Sequence, residues 1–261
     1  MERERNASSS LRRGIALLDA VSATTASGGG TLTELAAAVG VHKSSALRLL
    51  APMAEAGLVR IEQGRYLLGP RTAQLGRAYL DSVDLRALAQ PALRRLVEES
   101  GESVHLVLAD LPDMVYIDKI DGPGRVRMNS YVGSRQPAHS TGVGRAYLAF
   151  AGATAVDAVV ARGLPPRTER TVTDPVAFRA GLADIRARGY AVDDIENELD
   201  IRCVAAPVFD HDGAVAAAVS VAGLATRITP DRFDRLGELG AAAGRAISEQ
   251  LGAPPLREEP R

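Results

Sequence analysis

The spacing of apolar residues in the first third of the chain predicts three helices followed by a β-hairpin. In the third helix, Ala46, Leu49, Leu50 and Met53 follow the i, i+3, i+4, i+7 pattern of a single buried face. The two strands after it are joined by a tight turn at Glu62-Gln63-Gly64. The predicted elements are helices at 11–23, 31–39 and 42–53 and strands at 58–61 and 65–68.

Local signals mark the ends of the second and third helices. Thr31 or Thr33 can cap the start of the second helix, and Gly40 stands where helices commonly end in a left-handed residue. Pro52 falls inside the third helix, where a proline typically costs about 3 kcal/mol. We therefore expect this helix either to kink at Pro52 or to end before it.

From residue 83 onward, runs typical of strands are mixed with helical patterns. This mixture predicts an α+β domain in which helices pack on an antiparallel sheet, with Asp212-Gly213 turning the last two strands into a hairpin. The predicted helices span 85–100, 142–151, 154–162, 175–188 and the segment from Thr229 to Leu251, and the predicted strands are Ser103–Ala109, Met114–Ile120, Val126–Tyr131, Tyr190–Asp193, Cys203–Phe209 and Ala214–Ala222.

These patterns divide the chain into five segments. A charged, Ser-rich tail at 1–10 is expected to be disordered, and 11–69 forms a winged helix-turn-helix domain. A short linker helix at 70–82 leads to the second, α+β domain at 83–251. The Pro/Glu/Arg-rich segment 252–261 is expected to be mobile.

Composition narrows the class of protein without identifying it. Apolar residues make up 46% of the chain and charged residues 24%, as in ordinary globular proteins, and the net charge is −1. No uncharged apolar run reaches the roughly 18 residues that span a bilayer, so no membrane association is expected. The lone cysteine excludes an intrachain disulfide and favours the cytoplasm, and the four histidines lack the spacing of a metal site. We expect neither a metal nor a cofactor.

The order helix, turn, helix, hairpin is that of a winged helix-turn-helix, whose second helix enters the major groove of DNA. Arg48 can pair with guanine through two hydrogen bonds, and Arg65 in the hairpin would reach the backbone or the minor groove. The periodicity alone also fits a three-helix bundle with a solvated polar face. The candidate DNA-binding residues are His42, Lys43, Ser44, Ser45, Arg48 and Arg65.

A helix start at Ser140-Thr-Gly-Val-Gly144 offers a candidate anion site in the second domain. The first N–H groups of a helix lack intrahelical acceptors and lie at its positive dipole end. Gly142 and Gly144 would let a ligand approach the backbone closely.

Three stretches carry a resemblance to the IclR family of bacterial transcriptional regulators, over roughly residues 11–251. Leu32 to Arg48 is similar to the family's helix-turn-helix, and Gly64-Arg-Tyr-Leu-Leu-Gly69 is similar to the end of its wing. Gly189 to Asp210 fits its signature G-x3-D-x2-E-x6-C-V-A-x2-V-F-D, and Pro137 to Gly144 resembles a second family block. The chain departs from the family at Pro52, Gly142 and Arg145, where a non-breaking residue, alanine and lysine are more common.

The resemblance implies a C-terminal GAF/PAS-like effector-binding domain, a homodimer or homotetramer, and a small organic acid or aromatic as effector. Gly142 and Val143 would supply amides, and Cys203 and Ser220 would donate hydrogen bonds. Asp193 would bind a ligand hydroxyl or only cap backbone. The residues expected to line the pocket are Met128, Gly142, Val143, Asp193, Ile201, Cys203 and Ser220.

The sequence thus predicts a non-enzymatic, cytoplasmic regulator, more a repressor than an activator. It would bind a palindromic operator in double-stranded DNA, with an affinity set by a small anionic metabolite. One alternative is a DNA-binding protein whose C-terminal domain only oligomerises. Another is an enzyme with Cys203 as nucleophile and His105 or His139 as base.

Overall fold

A computed structural model of the chain describes residues 2–82, 84–124 and 130–254. The chain divides into two compact units between Val83 and Asp84. Within the described residues, no helix is both long enough and apolar enough to cross a membrane.

The N-terminal unit is a helical domain with a small antiparallel sheet, in which the strands lie in the order β1-β3-β2. Its core is formed where one face of each of the first three helices meets the sheet, around Leu17, Leu35, Leu50 and Val59. The elements are α1 (Glu2–Thr25), β1 (Gly30–Thr31), α2 (Leu32–Val39), α3 (Lys43–Glu55), β2 (Val59–Glu62), β3 (Arg65–Leu68) and α4 (Pro70–Ser82).

Capping of α2 follows the predicted signals. The Thr31 hydroxyl accepts the Glu34 N–H, the Glu34 carboxylate accepts the Thr31 N–H, and Gly40 ends the helix with a φ of 67°. Helix α1 differs from the prediction, because it begins at Glu2 and includes the segment expected to be a disordered tail. The sequence Glu-Arg-Glu-Arg has good helix propensity, and it adjoins an amphipathic stretch that is anchored by Leu17.

Pro52 does not end α3, which continues to Glu55. Of the two alternatives, an early helix end is therefore wrong, and a kink at Pro52 stays a prediction. Pro52 and Arg48 both lie on the exposed side of the helix. The Arg48 carbonyl, which has lost its N–H partner to the proline, can bond to water instead.

The C-terminal unit is built on a six-stranded antiparallel sheet in the order β6-β5-β4-β9-β8-β7. This confirms the α+β class, and the hairpin of β8 and β9 is as predicted. The elements are α5 (Leu85–Ser100), β4 (Ser103–Asp110), β5 (Asp113–Ile120), β6 (Arg135–Pro137), α6 (Gly142–Leu148), α7 (Ala153–Ala161), α8 (Pro175–Arg188), β7 (Ala191–Asp194), β8 (Ile201–Phe209), β9 (Val215–Leu224) and α9 (Phe233–Gln250).

Helices cover both faces of this sheet. Helices α5 and α9 pack against one face, and α6 packs against the other, with α7 and α8 beside it. Side chains alternate along each strand, so Cys203 and Ala205 of β8 lie on the α6 side, as do Ala218 and Ala222 of β9. The α6 side of the sheet is where the predicted effector residues converge.

Two strands were missed and one predicted strand is not tested. β1 and β6 are two and three residues long, too short to give a periodic pattern. The strand expected at 126–131 falls mostly on residues 125–129, which lie outside the described residues. Met128, one of the residues expected to line the pocket, is among them. Helix α6 ends at Leu148, earlier than expected.

Candidate functional site

The exposed side of α3 carries most of the residues predicted to contact DNA. His42 caps the helix without a side-chain hydrogen bond, and the first turn contains no acidic residue. Ala46 and Leu50 are buried on the opposite side, which holds the helix against the core. As a result Lys43, Ser44 and Arg48 are exposed with His42, while Ser45 is partly buried. This surface combines two cations with the start of a helix, where the N–H groups of Lys43 and Ser44 have no backbone acceptor among the described residues.

Leu47 lies on the same exposed side, and the sequence analysis missed it. Its side chain is 49% exposed, between the positions of Ser44 and Arg48. A leucine outside the i, i+3, i+4, i+7 stripe is the sequence signal that could have identified it. An apolar side chain at this position can contact the methyl group of thymine in a major groove.

Arg65 is placed in the hairpin as predicted, but it is engaged within the protein. Its Nε donates to the carbonyl oxygens of Gly28 at 3.1 Å and Gly29 at 2.9 Å. Its Nη2 lies 3.7 Å from the Glu34 carboxylate. The guanidinium therefore fastens β3 to the loop before β1, while its side chain stays 43% exposed.

In the C-terminal unit, a row of polar side chains crosses the α6 side of the sheet. Lys119 on β5 is opposite His105 on β4, and His105 is opposite Ser220 on β9. Cys203 on β8 is opposite Asp193 on β7. Ser220 pairs with Ala205, two residues along β8 from Cys203 and on the same side of the sheet. We call the five polar residues among them the polar row. Ile201 begins β8 on the same side as Cys203.

Gly142 brings α6 against this row. A Cβ built on Gly142 would lie 3.0 Å from the Cys203 Sγ, so the two residues are in direct contact. Val143, which follows it, is fully buried in the core. Among the described residues, the N–H groups of Gly142 and Val143 have no backbone acceptor. The Gly144 N–H, in contrast, donates to the Thr141 hydroxyl. Five predicted effector residues, Gly142, Val143, Asp193, Cys203 and Ser220, thus lie in one region of the unit.

The glycines of α6 have packing reasons that the sequence analysis did not foresee. A Cβ on Gly144 would lie 2.1 Å from the Ala138 carbonyl oxygen, which no side chain could tolerate. Gly142 faces Cys203 instead of an open space. Close contact between protein segments therefore explains Gly144 without a ligand.

The Asp193 side chain accepts hydrogen bonds from backbone N–H groups, which is one of the two roles expected for it. Its carboxylate accepts the N–H of Glu196 at 2.7 Å and of Asn197 at 3.3 Å. Burial raises the pKa of Asp193 to about 7, partly offset by these hydrogen bonds and by Arg145. Near neutral pH, this carboxyl group therefore exists in both its protonated and its charged form.

Arg145 and Glu196 form a buried ion pair next to Asp193, at 2.7 Å. Arg145 also donates to the Val192 carbonyl oxygen. Among the described residues, Nε of Arg145 and Oε2 of Glu196 have no hydrogen-bond partner. From the sequence, Arg145 is only a departure from the family pattern, since its partner Glu196 is distant in the chain.

Burial keeps the groups in the middle of the polar row uncharged. It lowers the pKa of His105 to about 3 and raises the pKa of the Cys203 thiol to about 12. The pKa of Tyr116, whose ring packs edge-on against His105, is raised for the same reason. No hydrogen bond among the described residues joins Cys203 to His105 or His139. This arrangement provides hydrogen bonds but does not generate a thiolate.

One group of possible metal ligands occurs among the described residues, at Asp210, His211 and Asp212, with ligand atoms within 4.8 Å of one another. Asp210 already accepts the N–H of Asp212 and of Ala214, and therefore shapes the β8–β9 turn. The group is mainly exposed, and no further observation points to an ion there.

Two family models match this chain. The model described as "Bacterial transcriptional regulator IclR C-terminal" matches residues 77–249, and that described as "IclR helix-turn-helix domain" matches residues 10–62. Their boundary falls close to the division between the two structural units. Together they cover both the exposed α3 surface and the polar row.

Curated proteins of known role are similar over almost the whole chain. The transcriptional repressor IclR of Escherichia coli is 36% identical over 248 residues, covering 93% of this chain and 90% of that protein. The acetate operon repressor of Salmonella typhimurium is 35% identical, with the same coverage. The HTH-type transcriptional regulator KdgR of Escherichia coli is 35% identical over 225 residues and covers 85% of each chain.

Solved structures share the fold. An ICLR transcriptional regulator from Silicibacter sp. TM1040 matches with a TM-score of 0.87 and 29% identity, covering 97% of this chain and 99% of that one. HmgR of Pseudomonas aeruginosa matches with a TM-score of 0.80 and 26% identity, covering 96% and 99%.

Proposed function

Because the chain belongs to the IclR family of bacterial transcriptional regulators, we propose that it is a repressor whose affinity for an operator is controlled by a small anionic organic metabolite. The observation that carries this proposal is the convergence of Gly142, Cys203, Ser220 and Asp193, from four separate elements, in the α6 side of the second unit. Polar side chains in an otherwise apolar core, beside unpaired backbone N–H groups, are typical of a ligand site.

DNA is bound through the exposed side of α3. Lys43 and the start of the helix contact phosphates, and Arg48 and Ser44 contact base edges, since residues near the N-terminus of a recognition helix reach the groove first. His42 and Ser45 complete this surface. Arg65 contributes to DNA binding from the hairpin. Its Nε is bonded to the carbonyl oxygens of Gly28 and Gly29, so its terminal nitrogens make the contact with DNA.

The DNA surface is tested with Arg48→Ala. We expect the substitution to weaken operator binding by about 1–3 kcal/mol and to relax specificity at one base position. Arg179→Ala, which removes a partly exposed arginine from the other unit, is the control. Fluorescence anisotropy on an operator found by genome-wide mapping of bound DNA measures both. An Arg48→Ala protein that binds with unchanged affinity and specificity would contradict the assignment.

The effector is a carboxylate with a modest apolar body. A helix N-terminus contributes only about 0.3–1 kcal/mol through its dipole, whereas micromolar affinity requires about 8 kcal/mol. The difference must come from hydrogen bonds to Ser220 and Cys203 and from apolar contact with Val143, Ile201 and Met128. A bare inorganic ion lacks the apolar contact.

Calorimetry with monocarboxylates from acetate to hexanoate, with benzoate, and with the primary amide of each acid tests this assignment. We expect at least one acid to bind more tightly than its amide, and Ser220→Ala to reduce that binding. Thr173→Ala removes an exposed hydroxyl and serves as control. An effector that is cationic or wholly apolar would contradict the proposal, as would unchanged acid binding by Ser220→Ala.

The same experiments separate the alternatives. A C-terminal unit that only oligomerises would leave operator affinity unchanged with every acid. An enzyme based on Cys203 would need a thiolate, which the pKa of about 12 disfavours near neutral pH. We therefore propose a non-enzymatic role, without metal or cofactor, in the cytoplasm, where the chain meets DNA.

A further inference from the structure

The imidazole of His105 is bonded through both of its nitrogens. Nδ1 lies 3.3 Å from the Ser220 Oγ, and Nε2 lies 2.9 Å from the Ser130 Oγ. The side chain is 1% exposed, and burial lowers its pKa to about 3. At neutral pH the ring is therefore uncharged, so one nitrogen donates a hydrogen bond and the other accepts one.

The choice between the two tautomers decides what Ser220 can offer to a ligand. A serine hydroxyl has a single proton to donate. If the His105 proton is on Nε2, Ser220 must donate its proton to Nδ1, and only lone pairs of its oxygen remain for a ligand. If the proton is on Nδ1, Ser220 accepts that N–H and keeps its own proton for another acceptor, which is a ligand or the neighbouring Cys203 sulfur.

Charges at the two ends of the polar row favour the second arrangement. The Lys119 ammonium group donates to the Ser130 carbonyl oxygen at 2.8 Å, so a cation stands on the Nε2 side of the ring. Asp121 pairs with Lys119 and offsets part of this charge. Asp193 lies at the opposite end, beyond Ser220 and Cys203. A cation attracts the nitrogen that has a lone pair, and the carboxylate form of Asp193 attracts the side that has the N–H.

We propose that His105 is a specificity-determining residue of the effector site. Protonated at Nδ1, it makes the Ser220 hydroxyl a hydrogen-bond donor and so selects ligands that present an acceptor, above all a carboxylate. This inference rests on the proposed function for the identity of the site. The tautomer itself is a property of the ligand-free protein.

The tautomer is measured by long-range ¹H–¹⁵N correlation spectroscopy on full-length protein labelled at histidine. The chain has four histidines, so the His105 signals are assigned by their loss in His105→Asn. We expect Nδ1 to carry the proton, both in the free protein and with the tightest-binding acid of the panel. A His105 ring protonated at Nε2 overturns the inference and leaves the proposed function intact, provided that an acid binds.

Two variants test the consequence for specificity. The amide of His105→Asn can take the place of Nδ1 beside Ser220, whereas the longer His105→Gln reaches towards Ser130 and leaves Ser220 without this partner. We expect His105→Asn to keep the ratio of acid to amide affinity. In His105→Gln, Ser220 keeps its proton but loses the N–H that orients its hydroxyl towards the ligand. The ratio should therefore fall by up to about tenfold, the lower end of the value of one charge-assisted hydrogen bond.

Circular dichroism and thermal unfolding establish that both variants fold. Equal loss of the ratio in the two variants would assign His105 a packing role and contradict the inference. If no acid binds the wild type, the proposed function fails, and the tautomer measurement alone then decides whether His105 orients Ser220.

Discussion

Gly144 lies where the first turn of α6 meets the backbone of Ala138. A Cβ at this position would lie 2.1 Å from the Ala138 carbonyl oxygen, whereas a Cβ on Gly181, inside α8, would meet nothing within 4 Å. Both glycines have helical backbone conformation, so they differ only in whether there is room for a side chain. From the sequence, the two residues look equivalent.

We expect Gly144→Ala and Gly181→Ala to change stability in opposite directions. The first forces backbone segments apart and should lower the free energy of unfolding by several kcal/mol, about the range of severe core changes. The second should raise it by about 0.5–1 kcal/mol, because alanine favours the helix. Urea denaturation of the full chain measures both. A Gly144→Ala protein as stable as wild type would show that the contact is easily relieved.

Asp193 is expected to make stability depend on pH. Its pKa is raised from 3.8 to about 7 in the folded protein, so the folded state holds a proton that the unfolded state releases near pH 4. Its contribution to the free energy of unfolding is complete below about pH 4 and is lost as the pH rises to about 7. The slope is at most about 1.4 kcal/mol per pH unit, the value for one proton.

The measurement is urea denaturation between pH 4 and 8, on wild type and on Asp193→Asn. The asparagine can still accept the N–H of Glu196 but cannot titrate. Subtracting the variant's free energy of unfolding from that of the wild type at each pH removes the contributions of other groups. These include Glu196, whose pKa is also raised by burial. A difference between the two proteins that is independent of pH would refute the assignment.

At the scale of elements, α3 and α5 each contain an exposed interior proline, Pro52 and Pro91. Each removes one backbone hydrogen bond from its helix. In α3 the helix continues because Ala46 and Leu50 anchor it in the core. Tertiary packing thus outweighs a local preference that the sequence alone indicates clearly.

Replacing Pro52 by alanine should slow hydrogen exchange of the α3 amides. The gain in local stability is up to about 3 kcal/mol, the usual cost of an interior proline. Pro91→Ala is the matched control, since it should slow exchange in α5 and leave α3 unchanged. Mass spectrometry of peptides from both helices makes the comparison. Unchanged α3 exchange in Pro52→Ala would mean that the helix has adapted to the proline without loss.

On the scale of the whole molecule, effector and operator must influence each other equally. If an acid weakens operator binding by some factor, the operator weakens acid binding by the same factor. We propose that this coupling acts in a homodimer or homotetramer on a palindromic operator, with half-sites about 34 Å apart or a multiple of that distance. Each chain contributes one α3.

Light scattering gives the oligomeric state, and paired titrations give the two coupling factors. We expect at least a dimer at working concentration. Calorimetry of the acid with and without operator gives one coupling factor, and anisotropy of the operator with and without acid gives the other. We expect the two factors to be equal. A monomer that binds a single half-site with full affinity would contradict the assembly. An operator affinity unchanged by an acid that binds would contradict the coupling.

The sequence alone determined the elements that carry long periodic patterns, and with them the α3 surface. Helices α2, α3, α5 and α9 and most strands of the large sheet follow from apolar spacing and from caps such as Thr31 and Gly40. A recognition helix is continuous in the chain, so His42 to Arg48 could be identified together. Cys203 and Ser220, which are proposed for the effector site, came from the family resemblance, without their contacts.

Only the tertiary structure decided the polar row and the contacts within it. His105 and Ser220 are 115 residues apart, and Arg145 and Val192 are 47 apart. Sheet order and register bring such residues together, and no local spacing specifies either one. The same holds for Gly144 and Arg65, whose roles depend on which backbone segment lies beside them. Periodicity decides which side of an element is buried, whereas pairing between distant elements decides which polar groups meet there.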